Sequence, residues 1–332
     1  MEIIATSNFS SCDVLRLLNA NRENNYDEEY FSWRYYGESS PYKPVVFYAI
    51  KNAEIIGMSG IVFRKYVIDG KPSFFGITGD TAINGVHRRN GYGTQLLKFM
   101  LEYVKDNKLP PLMAIANASF CAAAIKAGWK TNVGYSTYVF VIQEPNEKKR
   151  TKVLFKIFKW YCDFRKKLTN YASFKAVETT IFSEKFQYIW ENLNKTGIVV
   201  REKSIEILKW RFIKNSGIQY RFTAIEKNNV TGWFVWYLDT QHNLCYIADF
   251  LCADIDMVKP NFCAFIDYIR TTTNAAIVRM NYSSFNLNFG QQLQSIGFIK
   301  RPDDGFVCST CALSDYSQYQ LSWLITPGDK DL

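Results

Sequence analysis

The sequence repeats itself once, in order, along its 332 residues, and this repeat limits the fold more than any other feature. Glu29 followed by Trp33-Arg34 in the first half is matched by Glu206 followed by Trp210-Arg211 in the second half, with the same spacing. Further matched pairs follow in the same order: Asp80 with Asp249, Asn117 with Asn286, and Gly128 with Gly297. Small loop deletions account for the slow drift of the offset between the copies. We therefore expect two tandem copies of one α+β unit.

Each copy alternates between strand-like and helix-like patterns. In the first copy the runs that predict strands are 44–50, 54–68, 73–83, 112–116 and 135–142, and those with helical spacing are 92–105 and 118–127. Asp69-Gly70, between two of these runs, is typical of a hairpin turn. Because helices separate the later strands, at least one strand pair must be parallel. The predicted fold class is α+β, with two tandem units that each hold a mostly antiparallel mixed sheet flanked by helices.

A basic stretch lies between the two copies. The net charge is +9, and residues 148–167 hold nine Lys or Arg residues against one acid, Asp163. Six apolar residues recur there at helical spacing: Leu154, Ile157, Phe158, Tyr161, Phe164 and Leu168. We predict a basic amphipathic helix in a linker of residues 146–175, which joins a first domain at 1–145 to a second at 176–332. We expect its apolar face to be buried between the domains, so contact with a membrane surface or another polyanion is the less favoured alternative.

Composition excludes several broad classes of protein. Hydrophobic residues make up 48% of the chain and charged residues 21%, and no apolar run approaches the ~20 residues that span a bilayer. Residues 1–19 lack the pattern of a secretory signal, so we expect a cytoplasmic location. Outside the basic stretch the chain is almost neutral, which argues against a nucleic-acid partner. The eight cysteines include one close pair, Cys308 and Cys311, without a second pair at zinc spacing, so no metal is expected.

One turn between a predicted strand and a predicted helix is typical of phosphate binding. It runs from Ile83 to Thr94 and contains Arg88, Gly91 and Gly93. The glycines permit close approach of a ligand to the backbone, and the free N–H groups at a helix start favour an anion such as a pyrophosphate. The turn lacks the lysine and Ser/Thr of a P-loop, and its spacing differs from that of a dinucleotide-binding turn.

The turn resembles motif A of the GNAT acetyltransferases, R/Q-x-x-G-x-G/A, as Arg88-x-x-Gly91-x-Gly93. A second match follows in the expected order, because Asn117 and Gly128-Trp129 resemble the family's later N-x10-G-F pattern. The resemblance implies a GNAT-like fold for both units and acyl-CoA as co-substrate of an N-acyltransferase.

The resemblance also implies the roles of individual residues. The backbone of the turn would hold the CoA pyrophosphate, through Arg88, Arg89, Asn90, Gly91, Tyr92, Gly93 and Thr94. Ala82 and Ile83 at the strand end would pair with the pantetheine arm and position the thioester carbonyl, and Asn117 would lie beside that arm. The family often has a tyrosine seven residues after this asparagine as general acid, and this chain has Ala124 there. A missing acid leaves an inactive CoA-binding module as one alternative.

The general base is a separate question. Asp80 is the first candidate, because it is a carboxylate on the strand that enters the site, and His87 is a weaker one. Trp33 and Arg34 recur in the second copy, which favours a role in the fold. That copy has Met257 to Phe262, with Pro260, in place of the glycine turn, so we predict that only the first unit binds CoA.

The acceptor is predicted to be a primary amine bound between the two units. Tandem GNAT units with one CoA site resemble the amino-sugar N-acyltransferases of surface-polysaccharide synthesis, which implies a nucleotide-linked amino sugar. The candidate acceptor-binding residues are Tyr35 and Tyr36 on one side, and Asn281, Tyr282 and Ser283, in a predicted turn, on the other. The amine of a peptide, an aminoglycoside or a peptidoglycan precursor is the alternative acceptor.

Overall fold

A computed structural model describes residues 1–22, 25–143, 149–179, 184–214, 218–285, 288–310 and 322–326 of the chain. Two of the residues singled out above, Asn286 and Cys311, lie outside these ranges.

The first half of the chain begins and ends with a strand. Its strands are β1 (Glu2–Thr6), β2 (Val45–Lys51), β3 (Glu54–Ile68), β4 (Lys71–Ile83), β5 (Leu112–Ala116) and β6 (Lys130–Val141). Its helices are α1 (Ser11–Asn21), α2 (Glu28–Tyr36), α3 (Tyr92–Asp106) and α4 (Ala118–Lys126), with a 3₁₀ turn at Gly85–His87. The hairpin turn at Asp69-Gly70 is confirmed, since both residues have the positive φ angles, 50° and 74°, that such a turn requires.

A helix, α5 (Lys149–Lys167), leads into the second half. There the strands are β7 (Lys175–Thr179), β8 (Ile198–Arg201), β9 (Arg221–Lys227), β10 (Asn229–Asp239), β11 (Leu244–Cys252), β12 (Ile277–Phe285), β13 (Ile299–Ser309) and β14 (Ser322–Ile325). The helices are α6 (Glu184–Asn192), α7 (Ile205–Phe212), α8 (Val258–Thr272) and α9 (Phe289–Ser295), with a 3₁₀ turn at Ile255–Met257. Apart from β8 and β14, the order of elements repeats that of the first half, as the sequence repeat predicts.

The two halves exchange strands β6 and β13. Strand β13 of the second half lies between β5 and β6, and β6 of the first half lies between β13 and β12. Antiparallel pairing joins Phe306 to Ala116 on one side and Ile277 to Val141 on the other. The two mixed sheets are thereby joined into one, with parallel pairs only at β4–β5, β11–β12 and β8–β14 among the described strands. The predicted α+β class with two units of mixed sheet and flanking helices is confirmed.

The repeated Trp-Arg pairs form a second contact between the halves. The ring of Trp33 stacks on that of Trp210 with centroids 5.4 Å apart. Each indole N–H donates to the other residue's carbonyl oxygen, at 3.0 Å and 3.2 Å. The guanidinium of Arg211 lies 5.1 Å from the Trp33 ring, and that of Arg64 lies 4.6 Å from the Trp210 ring. The tryptophans are thus residues of the fold, and each unit supplies half of a nearly symmetric contact.

Helix α5 forms as its pattern predicts, but the predicted burial of its apolar face is wrong. Leu154 and Ile157 are each 56% exposed and Phe164 is 49% exposed. The helix packs through its opposite face, where Cys162 is buried and donates to the carbonyl oxygen of Gly297 at 3.2 Å. Periodicity reveals that a helix has an apolar face; it does not reveal whether the fold covers that face.

Candidate active site

A cavity of about 980 Å³ opens in the first unit where β4 and β5 separate. These parallel strands pair only at Gly76 with Leu112 and at Ile77 with Met113. Beyond that point the cavity is lined by Thr78–Ile83 on β4 and by 114–117 on and after β5. All of its lining residues belong to the first half of the chain, between Asn21 and Lys126.

The glycine turn closes one end of this cavity. Arg89 and Gly91 both have left-handed φ angles, 65° and 78°, and Gly91 caps the start of α3 without a side-chain hydrogen bond. The first N–H groups of α3 therefore have no partner within the helix, and they carry the positive end of its dipole. A Cβ atom built on Gly93 meets no atom within 4 Å, although Gly93 lines the cavity. The turn leaves space against the backbone that an anionic group can occupy.

Positive charge surrounds the cavity. Four of its lining residues are cationic, Arg22, Arg88, Arg89 and Lys126, whereas Asp80 is the single carboxylate among them. The guanidinium of Arg88 donates to the carbonyl oxygen of Ile83 at 3.0 Å and to Oδ1 of Asn21 at 3.1 Å, which fixes the turn to the end of α1. This electrostatic environment suits a ligand with several phosphates.

Strand β4 is distorted beside the cavity. Asp80 has a left-handed φ of 57°, and the register between β3 and β4 shifts between Met58 and Gly60, so that a bulge lies opposite them. A bulge leaves backbone groups without ladder partners. Ala82 and Ile83 follow the bulge, and both line the cavity.

Asp80 is buried among three hydrogen-bond donors and a fourth group, the guanidinium of Arg22. Its Oδ1 accepts from the Tyr30 hydroxyl at 3.1 Å and lies 3.8 Å from the guanidinium of Arg22. Its Oδ2 accepts from Arg34 Nε at 3.2 Å and from the Tyr35 hydroxyl at 3.1 Å. Burial and the Asp80 charge raise the pKa of both tyrosines well above the usual value, so both phenols stay protonated and donate. The carboxylate is 1% exposed and held in place from both sides.

The remaining predicted residues of the first unit lie as follows. Asn117 caps α4, its side-chain oxygen accepting from the Phe120 N–H at 2.9 Å, and it lines the cavity near β5. Ala124 is fully buried in the core between α4 and the sheet. His87 lines the cavity mouth. Tyr92, at the start of α3, is the one tyrosine among the lining residues, with the Lys51 ammonium 5.5 Å from its ring.

The structure does not gather the five predicted acceptor-binding residues at this cavity. Tyr35 is 3% exposed, so its ring offers no stacking surface, while Tyr36 is 57% exposed. The turn predicted at Asn281 to Ser283 is wrong, because these residues continue β12, where β6 pairs with Asn281 and Tyr282 and β14 pairs with Ser283. Tyr282 packs against Phe289 in the second core, with centroids 4.8 Å apart. Their roles toward an acceptor stay predictions.

Aromatic side chains fill the second unit where the first unit is open. Phe262, which the repeat aligns with Gly93, is fully buried against Phe250 at 5.3 Å and Phe289 at 5.8 Å between ring centroids. Phe298 lies 5.8 Å from the same ring. Helix α8 thus packs directly on its sheet, without a glycine turn at its start.

Sequence reasoning missed three residues near the site. Arg22 and Lys126 line the cavity, yet each is a single cation outside any motif. Tyr30 reaches Asp80 from α2, and its spacing of four residues from Arg34 could have shown that both lie on one helix face.

Residues 12–126 match the family model of the GNAT acetyltransferases. No curated protein matches the chain by sequence. Among solved structures, a probable N-acyltransferase from Enterococcus faecalis is similar with a TM-score of 0.64 and 9% identity, over 93% of this chain and 71% of that one. The yeast N-myristoyltransferase with bound myristoyl-CoA is similar with a TM-score of 0.51 and 12% identity, over 93% of this chain and 81% of that one. A tandem GNAT protein from the clavulanic acid biosynthesis pathway is similar with a TM-score of 0.54 and 11% identity, over 93% of this chain and 98% of that one. At these identities the structures establish a shared tandem fold.

Proposed function

We propose that this chain, an acyltransferase whose residues 12–126 are a GNAT-family domain, moves an acyl group from a CoA thioester to the primary amine of a nucleotide-linked amino sugar. The observation that carries the transferase assignment is the open glycine turn at the cationic end of the cavity between β4 and β5.

The chain's own residues fit acyl-CoA. The pyrophosphate would lie against the N–H groups at the start of α3, where the space above Gly93 is free. Arg88, Arg89 and Lys126 would supply charge to the phosphates. The pantetheine arm would run along Ala82 and Ile83, on the edge of β4 that does not pair with β5 beyond Ile77.

The chemistry requires one proton to leave the amine before attack. The C–N bond then forms as the C–S bond breaks, the electron pair leaves on the thiolate, and the acylated nitrogen gives its surplus proton to the thiolate or to solvent. Asp80 remains the first candidate for the base, because it is the carboxylate of the cavity wall. A thiolate can leave without a general acid, so the buried Ala124 is compatible with turnover.

Arg22 supports a phosphorylated acceptor. It lines the cavity beside Asp80, and its side chain is 27% exposed. A cation beside the candidate base suits an amine that carries a diphosphate.

The test measures thiol release from acetyl-CoA with a UDP- or dTDP-linked amino sugar and with the free amino sugar. If the nucleotide is recognised, its removal should lower kcat/KM about a hundredfold, about 2.7 kcal/mol of transition-state binding. Equal rates would reject the nucleotide-sugar acceptor, as would efficient acylation of a peptide amine alone. Failure to bind CoA by calorimetry would reject the transferase assignment itself.

A further inference from the structure

Helix α5 presents a continuous apolar stripe to solvent. The stripe consists of large side chains that are between 38% and 67% exposed: Val153, Ile157, Trp160, Tyr161, Phe164 and Leu168. They recur about every four residues and so lie on one face. The rings of Trp160 and Phe164 stack at 5.6 Å with their planes 12° apart, which gives the stripe a flat centre.

The opposite face of α5 is fixed to the second unit. Cys162 is buried there, and the Lys166 ammonium is bonded to Asp267 and, at 2.7 Å, to the Tyr171 hydroxyl. Asp163 pairs with Lys159 at 2.6 Å and with Arg270. The helix is therefore held in a fixed rotation, with the stripe outward.

The charge beside the stripe is basic. Residues 148–167 carry nine basic side chains and one acid, Asp163; that acid is paired with Lys159, and Lys166 is paired with Asp267 on the packed side. Lys156 and Lys167 are exposed and lie on one flank of the stripe. No helix among the described residues is long and apolar enough to cross a bilayer.

We propose that α5 docks this protein on the surface of an anionic lipid bilayer, with the stripe in the headgroup region and the lysines on the lipid charges. A helix with an apolar face beside a basic flank lies in the plane of such a surface, and each nearby lysine strengthens attachment. A second copy of the chain is the poorer occupant, because pairing two such helices would bring like charges together. The inference is independent of the acceptor.

The test is co-sedimentation of the full chain with vesicles of phosphatidylcholine, with or without phosphatidylglycerol, at physiological salt. Binding should require phosphatidylglycerol. The double variant Lys156→Glu, Lys167→Glu should weaken it about 25-fold, a factor of about five for each lysine lost. The matched control Lys209→Glu, Lys214→Glu changes the net charge equally, at exposed positions of and after α7, and should bind nearly as the parent does.

A second pair of measurements addresses the stripe itself. Trp160 is 67% exposed, so brominated lipid should quench its fluorescence. Six other tryptophans are buried: Trp33, Trp129, Trp190, Trp210, Trp233 and Trp236. Ile157→Gln with Phe164→Gln should lower vesicle binding while leaving CoA affinity and Tm unchanged. The proposal would be overturned by any of three results. These are equal weakening of vesicle binding by the Lys209→Glu, Lys214→Glu control, equal binding to vesicles of phosphatidylcholine alone, and a concentration-dependent dimer that the two Gln changes dissociate.

Discussion

Replacing Gly93 with valine should separate CoA binding from folding. A Cβ atom at this position meets no atom within 4 Å, so the side chain fits the folded protein. Valine is also a better helix former than glycine, which favours the variant by a few tenths of a kcal/mol in the first turn of α3. The same side chain would stand in the space assigned to the pyrophosphate.

The loss of affinity follows from the contacts that would be blocked. If two amide-to-phosphate hydrogen bonds are lost, each to a charged group and worth at least about 1.5 kcal/mol, CoA affinity should fall by about 150-fold. Calorimetric titration with CoA measures this, and thermal unfolding should show an equal or slightly higher Tm. Gly85→Val is the matched control, because Gly85 also faces open space in the same loop yet does not line the cavity. An unchanged affinity in Gly93→Val, or equal losses in both variants, would refute the placement of the pyrophosphate.

Three further outcomes can be measured. Asp80→Asn and Asp249→Asn each leave a buried cation without its carboxylate and should each lose about 3–5 kcal/mol in urea unfolding, but only Asp80→Asn should also lower kcat/KM and alter its pH profile. Burial and the Asp80 charge raise the pKa of Tyr35, so its contribution to stability is complete below a pH of about 10 and is lost as the pH rises further. The free energy of unfolding of Tyr35→Phe should therefore fall less steeply above that pH than the parent's, and equal slopes would contradict the prediction. Cys12 is the exposed thiol among the described cysteines, and burial raises the pKa of two others to about 12, so a thiol reagent should modify Cys12 first; simultaneous labelling of buried cysteines would contradict the packing.

Local patterns predicted local structure well. The hairpin at Asp69-Gly70 and the glycine turn into α3 both depend on residues close in sequence. The repeat added long-range information, since a Trp-Arg pair retained in the copy without a glycine turn had to serve the fold.

Pairing between distant strands could not be predicted in the same way. An alternating strand fits either neighbouring sheet, so no pattern in β6 or β13 indicates that the units exchange them. The sequence predicts a turn at Asn281 for the same reason, because the residue that pairs with it, Thr137, lies in β6 of the other unit. The environment of Asp80 could not be predicted either, because its hydrogen-bond donors come from α2 and its second cation, Arg22, lies just after α1.

The strand exchange explains how the second unit, whose pocket is filled, still stabilises the open cavity of the first unit. Strand β5 carries one wall of the cavity, and its outer edge pairs with β13 of the second unit, from Met113 with Ser309 to Ala116 with Phe306. Cys308 lies in the core beneath α3 and α4. The second unit therefore lacks the glycine turn but still supports the cavity of the first unit, because its strand β13 pairs with the cavity-wall strand β5.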